Sequence, residues 1–500
     1  VAKTQQRFQF DALVLHPEDG TALYRQLESQ IRDAIWKGLL QPGERLPSTR
    51  NLAHDLGVAR NTVVNAYEQL MLEGFIVSIK GAGTCVSENL PQSNASQSTS
   101  FTVSSANKYH IPLSSRYQCV ESNTYPIPLD AGSVARPFRA HTPACAAFPI
   151  DIWKQLYTRR LRHMPESWME KNDPIGYQPL RIAIASHLGA ARSVSAIPDQ
   201  VLITAGAQQG IELIAKALIN KGDVVCFEEP GYTPAKIVFE MMGAVVKSIP
   251  VDDQGIRIDI LENTVKQAKL VYVTPSSHFP LGIPLSLSRR KALLQWAERS
   301  GAIILEDDYN GEYRYRGRPL ATLYSMAQSE RVIYMGSFSK LLFPALRIGY
   351  MVIPPMLVKP LAALRWLSDR HSPVIEQAVL TDFIDQGHFA RHLRRMRTLY
   401  SHRQLALVEA AELYWSDIME VPPLHGGLHL IGWLKPAVQV EKVLIAAKLS
   451  GVELVPVSQY GSIESARAGV ILGYVSFTLA EINAAVKKLR AAYFEKPIPL

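Results

Sequence analysis

One stretch divides this chain before any fold is considered. Residues 87–126 read SENLPQSNASQSTSFTVSSANKYHIPLSSRYQCVESNTYP, with ten serines in forty residues. Such a composition buries too little apolar surface to offset the entropy of ordering, so it predicts a flexible linker, 89–126. The chain is therefore expected to hold a small unit at 16–88 and a large one at 127–500. The whole is ordinary for globular domains, with 47% apolar and 20% charged residues over 500 positions. No apolar run reaches the length a membrane helix needs, and VAKTQQRFQF at the start shows no apolar signal core. Cys85, Cys119, Cys145 and Cys226 lie far apart without a CxxC pair, which speaks against a zinc site or disulfide framework. These features predict a cytoplasmic protein with no membrane partner and no metal.

Charge does not locate a nucleic-acid surface. The net charge is +8, yet residues 1–88 hold 9 Lys+Arg and 10 Asp+Glu, so that segment is −1 and the remainder carries +9. A case for DNA rests on pattern instead. Leu23, Leu27, Ile31, Ile35 and Leu39 recur at helical spacing. After the turn QPGERLP, Ser48 is placed to cap a short helix, STRNLAHDL. Gly57-Val58 makes a tight turn, and a third helix follows from Arg60 to Leu72 with Val63, Tyr67 and Leu70 inward. FIVSIKGAGTCVS then reads as two strands around Gly81-Ala82-Gly83. Two helices, a tight turn, a third helix and a β-wing describe a winged helix-turn-helix, whose third helix enters the major groove by its N-terminal end.

The run LPSTRNLAHDLGVARNTVVNAYEQLMLEGFIVSIKGAGTCV resembles GntR-type DNA-binding heads. That resemblance implies double-stranded promoter DNA as a partner. It places Arg50, Arg60, Asn61 and Thr62 on DNA, with Lys80 and Gly81 on the wing. Two positions depart from the pattern. Ala59 stands where Ser or Thr usually precedes the helix-three Arg, and Val64 replaces a second Arg. Service as a protein-interaction module is the alternative for such a head.

From about residue 127, apolar runs (VLITAG, DVVCFEEP, KLVYVTP, AIILEDDY, VIYMGSF) alternate with amphipathic helices, which predicts a mainly parallel sheet covered on both faces. The sharpest chemistry lies in GSFSKLLFPALRIGY. A lysine on a rigid strand-exit turn among apolar neighbours has a lowered pKa and becomes nucleophilic; Lys340 is so placed. Ser337, Ser339 and Arg347 beside it suit a dianionic phosphate. Lysine plus phosphate site is what pyridoxal 5′-phosphate needs, with Lys340 as its Schiff-base residue. Thirty-three residues upstream, Asp307 is placed to hold the proton on the cofactor's pyridine nitrogen, and Tyr309 to donate to its phenolic oxygen. In TAGAQQG, the N–H groups of Ala207 and Gln208 open a helix and suit phosphate. In EEPGYTPA, Tyr232 sits where its ring can stack on the pyridine. Each motif has a structural alternative as a surface turn. Their order along the chain resembles fold-type I aminotransferases over residues 127–500.

A GntR-like head, a linker and an aminotransferase-like body together resemble the MocR/GabR family of bacterial transcription regulators. The resemblance implies a homodimer with exchanged heads and a small-molecule effector, an amine, an amino acid or pyridoxal phosphate itself. It implies a regulator rather than a catalyst, with half-transamination as a residual activity, and a role in vitamin B6 or amino-acid metabolism. A working aminotransferase with an auxiliary head, and a cofactor-free scaffold, are the competing readings. The aminotransferase pattern also carries a carboxylate-binding Arg shortly before a Gly-Tyr/Phe pair. Here AGVILGYVS has Val470-Ile471 in that neighbourhood, with Arg467 nearby, and Thr233-Pro234 after Tyr232 offers no Arg. Ser277-His278-Phe279-Pro280 shifts the usual histidine. RHLRRMRTLYSHR (391–403) reads either as a positive track for DNA or as a solvated helix face; His425 and His429 read as structural or pocket-lining.

Overall fold

A computed structural model describes residues 10, 13–79, 83–90, 112–121, 136–170, 172–317, 320–461 and 467–494. They fall into two compact units, residues 1–111 and 112–500.

The first unit contains α1 (Leu23–Trp36), α2 (Thr49–Asp55), α3 (Arg60–Leu72), β1 (Ile76–Ile79) and β2 (Gly83–Val86). The strands pair antiparallel from Ile76↔Val86 to Ile79↔Gly83. Leu27, Ile31 and Ile35 of α1 close a core with Leu52, Val63, Tyr67 and Leu70. The buried Tyr67 hydroxyl donates to the Pro47 carbonyl at 3.0 Å, which satisfies its polar end. Ser48 caps α2 by accepting from the Asn51 N–H at 3.2 Å. Ala59 caps nothing with its side chain. Gly57, at φ +63°, supplies the left-handed residue that ends α2 and starts the turn into α3. One sequence expectation fails: Leu39 is 54% exposed and Leu40 takes the core position. Gly38, at φ +66°, stops the helix after Trp36, so the apolar spacing that runs on to Leu39 no longer follows a helical face.

The second unit runs through α4 (Ser115–Glu121), α5 (Ile150–Arg162), α6 (Gln178–Arg192), β3 (Val201–Thr204), α7 (Ala207–Leu218), β4 (Val224–Glu229), α8 (Thr233–Met241), β5 (Val245–Asp252), β6 (Gly255–Ile256), α9 (Ile258–Thr264), β7 (Leu270–Val273), α10 (Leu287–Ser300), β8 (Ile303–Asp307), α11 (Leu323–Met326), β9 (Val332–Ser337), α12 (Phe338–Leu341) and β10 (Gly349–Val352). Eight strands form one sheet in the order β3-β10-β9-β8-β7-β4-β5-β6. The five from β9 to β5 are parallel, while β10 runs antiparallel to both neighbours and β6 to β5. Alternate residues serve opposite faces of a strand. Val201, Tyr334 and Tyr350 join one core, while Leu202, Met335 and Met351 join another, so helices cover both faces. The stretch 89–126, expected to be a linker, lies outside the described residues except at 89–90 and 112–121. Within the latter, α4 packs on α8.

The chain continues as α13 (Pro355–Asp369), α14 (Val374–Asp385), α15 (His388–Trp415), β11 (Met419–Glu420), β12 (His429–Leu434), α16 (Val440–Ser450), β13 (Val455–Pro456), β14 (Gly469–Gly473) and α17 (Leu479–Phe494). The four strands make a separate antiparallel sheet, β11-β12-β14-β13. The basic run 391–403 lies on α15. Its His392, Met396 and Tyr400 are buried, Arg397 pairs with Glu312 at 3.2 Å, and Arg391 donates to the Gln386 carbonyl. One face of the run is thus packed into the body, while Arg391, Arg394 and Arg395 are exposed.

Candidate functional site

In a parallel sheet, ligands bind beyond the carboxyl ends of the strands. Here β8 ends at Asp307, β9 at Ser337 just before α12, and β7 just before Thr274. Their loops enclose a cavity of about 250 Å³ lined by His141, Tyr232, Phe279, Asp307, Tyr309 and Lys340, among others. The parallel register forces this convergence, because neighbouring strands deliver their ends to one edge.

Lys340 sits on α12, held by the turn out of β9. Its ammonium donates to the His141 carbonyl at 2.8 Å. Burial, aided by the Arg347 charge, pulls its pKa down to about 8, against the opposing pull of Asp307. The lowered pKa raises the neutral-amine fraction above that of an exposed lysine, which favours nucleophilic reactivity. Asp307 is buried, and burial together with Asp308 pushes its pKa up to about 7. One carboxylate oxygen accepts from the Tyr272 hydroxyl at 2.6 Å; the other, Oδ1, has no hydrogen-bond partner. The buried Tyr309 hydroxyl is likewise unsatisfied, as is Ser339 Oγ. Buried polar atoms without partners are uncommon, and two on residues that line one cavity, Asp307 and Tyr309, point to a ligand that completes them.

The phosphate end has its own geometry. Gly206, at φ +103° before α7, carries no capping side chain, so the first N–H groups of that helix, Ala207 and Gln208, face outward uncapped. Arg347 donates to the Ala205 carbonyl at 2.6 Å, and a Cβ added at Gly206 would stand 3.1 Å from its guanidinium. Gly349 lies equally close, since its Cβ would be 2.9 Å from Gly206 Cα. Two glycines thus let the arginine settle against the helix start. Ser337 accepts from the Ser339 N–H at 3.2 Å and presents its hydroxyl to the cavity. Helix N-terminus, guanidinium and two serines make a dianion cradle. Tyr232 lines the cavity with its ring edge-on to Phe279 at 5.4 Å and donates to Gln208 Oε1 at 3.3 Å.

Of the body residues singled out from the sequence, Lys340, Asp307, Tyr309, Ser337, Ala207 and Tyr232 line the cavity, while Arg347 stands against Gly206, Gln208 accepts from Tyr232, and Ser339 is not among the lining residues. Sequence reasoning missed Tyr272, His141 and Thr274. Tyr272 lies inside an apolar strand run, and its role appears only when β7 is placed beside β8. His141, at φ +65°, comes from a loop about 200 positions before Lys340 and carries no local motif. Arg467 does not enter the cavity; it pairs with Glu420 at 2.5 Å and packs over Trp433. Below the site, buried Asp308 accepts from Arg192 Nε at 3.0 Å and from the Tyr334 hydroxyl at 2.6 Å. That pairing holds the Asp308 carboxyl below its ordinary range, while its neighbour Asp307 is raised.

On the head, Arg50, Arg60 and Asn61 are exposed and Thr62 is half-buried at the start of α3. Lys80 and Gly81 lie outside the described residues.

Residues 23–86 match the gntR family of bacterial regulatory proteins, and residues 148–470 match aminotransferase class I and II. Over 482 residues the chain is 35% identical to the probable rhizopine catabolism regulatory protein MocR of Rhizobium meliloti, covering 96% of each. It belongs to the MocR/GabR family. The HTH-type pyridoxine biosynthesis transcriptional regulator PdxR of Corynebacterium glutamicum is 30% identical, with 95% of this chain and 98% of the relative covered. As a member of this family, the chain is a DNA-binding transcriptional regulator with an aminotransferase-type body. Its body resembles solved enzymes. The kynurenine aminotransferase of Pyrococcus horikoshii, in complex with PMP, superposes with a TM-score of 0.67 at 28% identity, over 73% of this chain and 91% of that one. The α-aminoadipate aminotransferase LysN of Thermus thermophilus, complexed with N-(5′-phosphopyridoxyl)-L-leucine, gives 0.65 at 28% identity, over 71% and 91%. The fold is thus that of pyridoxal-phosphate enzymes, and the unsatisfied atoms of the cavity fit that group.

Proposed function

We propose that this regulator holds pyridoxal 5′-phosphate in the cavity, attached to Lys340, and uses it to sense a small amine that alters promoter binding. The carrying observation is the pair of unsatisfied buried atoms, Asp307 Oδ1 and Tyr309 Oη, beside a lysine held partly neutral. When bound, the cofactor supplies an aldehyde that condenses with primary amines. Asp307 holds a proton at the pyridine nitrogen through Oδ1, and Tyr272 fixes the carboxylate through Oδ2. Tyr309 donates its hydroxyl proton toward the phenolic oxygen. Ala207, Gln208, Ser337, Ser339 and Arg347 would hold the phosphate, and Tyr232 would supply a ring face to the pyridine.

Lys340 is bonded to the loop of His141 while free, so capturing or releasing the lysine redistributes contacts between that loop and α12. A change that favours one conformation of the body shifts the DNA equilibrium only through differential affinity, typically about 1–3 kcal/mol. Two copies assemble with exchanged heads, so that one dimer reads two half-sites. Arg50, Arg60, Asn61 and Thr62 face the groove, with Lys80 and Gly81 on the wing. As a reader of chromosomal DNA the protein acts in the cytoplasm. The roles of the named relatives, pyridoxine biosynthesis and rhizopine catabolism, favour control of vitamin B6 or amine metabolism.

Lys340→Ala tests the reading. The variant should bind DNA but lose covalent retention of the vitamer, read by intact mass after borohydride treatment, and lose the effector response. A variant that keeps the full response overturns the proposal. Sustained turnover of amino donors with 2-oxoacids by the wild type would favour the catalytic alternative instead.

A further inference from the structure

A second, smaller cavity adjoins the first. In the loop after β8, Tyr309 lines the cofactor cavity and the next residue, Asn310, lines this one. Arg192, Ser276, Ser277, Arg314 and His425 share its lining. Two segments build it. The stretch before β12 runs against the loop after β8, with an antiparallel bridge between Arg314 and Gly426. The Gly427 N–H donates to the Tyr313 carbonyl at 2.9 Å, and the Tyr315 N–H to the His425 carbonyl at 2.8 Å. Gly426 permits this approach, since a Cβ there would stand 2.2 Å from the Tyr313 carbonyl oxygen. The bridge fixes the backbone of Arg314 at the cavity wall.

The polar atoms of this cavity are unevenly matched. Arg192 pairs with Asp308 at 2.5 Å and donates to Ser276 Oγ at 2.9 Å. Arg314 has a buried Nε without a hydrogen-bond partner. Burial, with the Arg192 charge beside it, pulls the Arg314 pKa down, as expected for a cation withdrawn from water next to another cation. Asn310 is 2% exposed; its amide N–H reaches Ser277 Oγ at 3.4 Å, and its Oδ1 has no partner. An anion completes this arrangement. A guanidinium offers Nε and a terminal N–H side by side, a fork that fits the two oxygens of a carboxylate. The Ser277 hydroxyl can give a hydrogen bond as readily as take one. The Asn310 amide can therefore turn, keep Ser277 through its oxygen and offer its N–H to the anion. The space, about 40 Å³, admits a head of about one or two water volumes, which suits a carboxylate.

We infer that Arg314, Asn310 and Ser277 bind a small carboxylate in a site separate from the cofactor cavity. Arg314 supplies the charge and the fork, and the buried amide supplies a further donor. The inference stands on its own residues and does not require the cofactor reading.

The test uses acetate as the probe on the full-length protein. Sodium acetate replaces sodium chloride at fixed ionic strength, and saturable binding is read from acetate relaxation by NMR and from the rise in thermal midpoint. Acetamide, the neutral counterpart, should produce neither signal. Arg314→Gln should weaken acetate binding about tenfold to hundredfold, the loss of a charge-assisted bond. Arg314→Lys keeps the charge without the fork and should fall between the two; it carries the test if the glutamine variant does not fold. Arg347→Gln, altered at the phosphate end, should bind acetate as the wild type does. No saturable binding when acetate replaces chloride overturns the inference, as does undiminished binding in both Arg314 variants. Loss of binding in Arg347→Gln instead would place the acetate at the phosphate end and overturn it equally.

Discussion

Asp307 shows how one carboxyl is set apart by where its strand stops. Burial raises it to about 7, whereas in an unfolded chain such a group titrates near about 4. The folded state therefore retains a proton that the unfolded state has released. The stability this contributes is complete below the unfolded value and drains away as pH climbs through the folded one. The cofactor-free wild type should accordingly lose ground to Asp307→Asn as pH rises from about 5 to about 8, read as the difference in thermal midpoints. Loading the cofactor should abolish that trend, because a pyridinium proton favours the ionised carboxylate. Glu228, also raised to about 7 by burial, accepts from the Thr274 N–H at 2.9 Å and is a second proton holder behind Asp307. The Arg192–Asp308 pair beneath is a different kind of group, fully buried and charged. Arg192→Met should destabilise by about 3–5 kcal/mol by leaving Asp308 without its cation, and Arg192→Met with Asp308→Asn should recover part of the loss in urea denaturation.

At the scale of elements, local rules account for the head and fail only where a stop signal was overlooked. Ser48, Gly57 and the inward positions of α3 are legible in sequence because caps, left-handed glycines and helical spacing act within a few residues. Leu39 was misplaced because Gly38 ends α1 one turn earlier than the apolar spacing suggests. Ala59→Ser restores a capping hydroxyl at α3 and should stabilise the head by about 0.5–2 kcal/mol, seen in its own unfolding transition. In the body, Lys340, Asp307 and Arg347 are legible because each sits beside a strand end with a recognisable run. Tyr272 and His141 were not. Their chemistry comes from lateral strand order and from a loop distant in sequence, which no local pattern encodes. The antiparallel course of β10 between β3 and β9 belongs to the same class of hidden information.

For the whole molecule, the charge distribution and the pairing of two units decide how DNA is read. With a head near neutrality, the proposed dimer gains affinity by making a few contacts twice. Arg60→Ala should cost about 1–3 kcal/mol if that guanidinium reads a base edge, with the loss confined to particular operator positions in competition gel shifts. Changing the separation of the two half-sites by about 5 base pairs, half a helical turn, should weaken binding far more than changing it by about 10. Equal tolerance of both spacings would mean that the heads act independently.

The head closes its hydrophobic core within its own three helices and hairpin, from Leu27 to Val86. Operator choice is thus a transferable cassette. Exchanging residues 16–88 for the equivalent piece of another regulator should redirect the body's chemical response to a new set of genes, with neither half having to be redesigned.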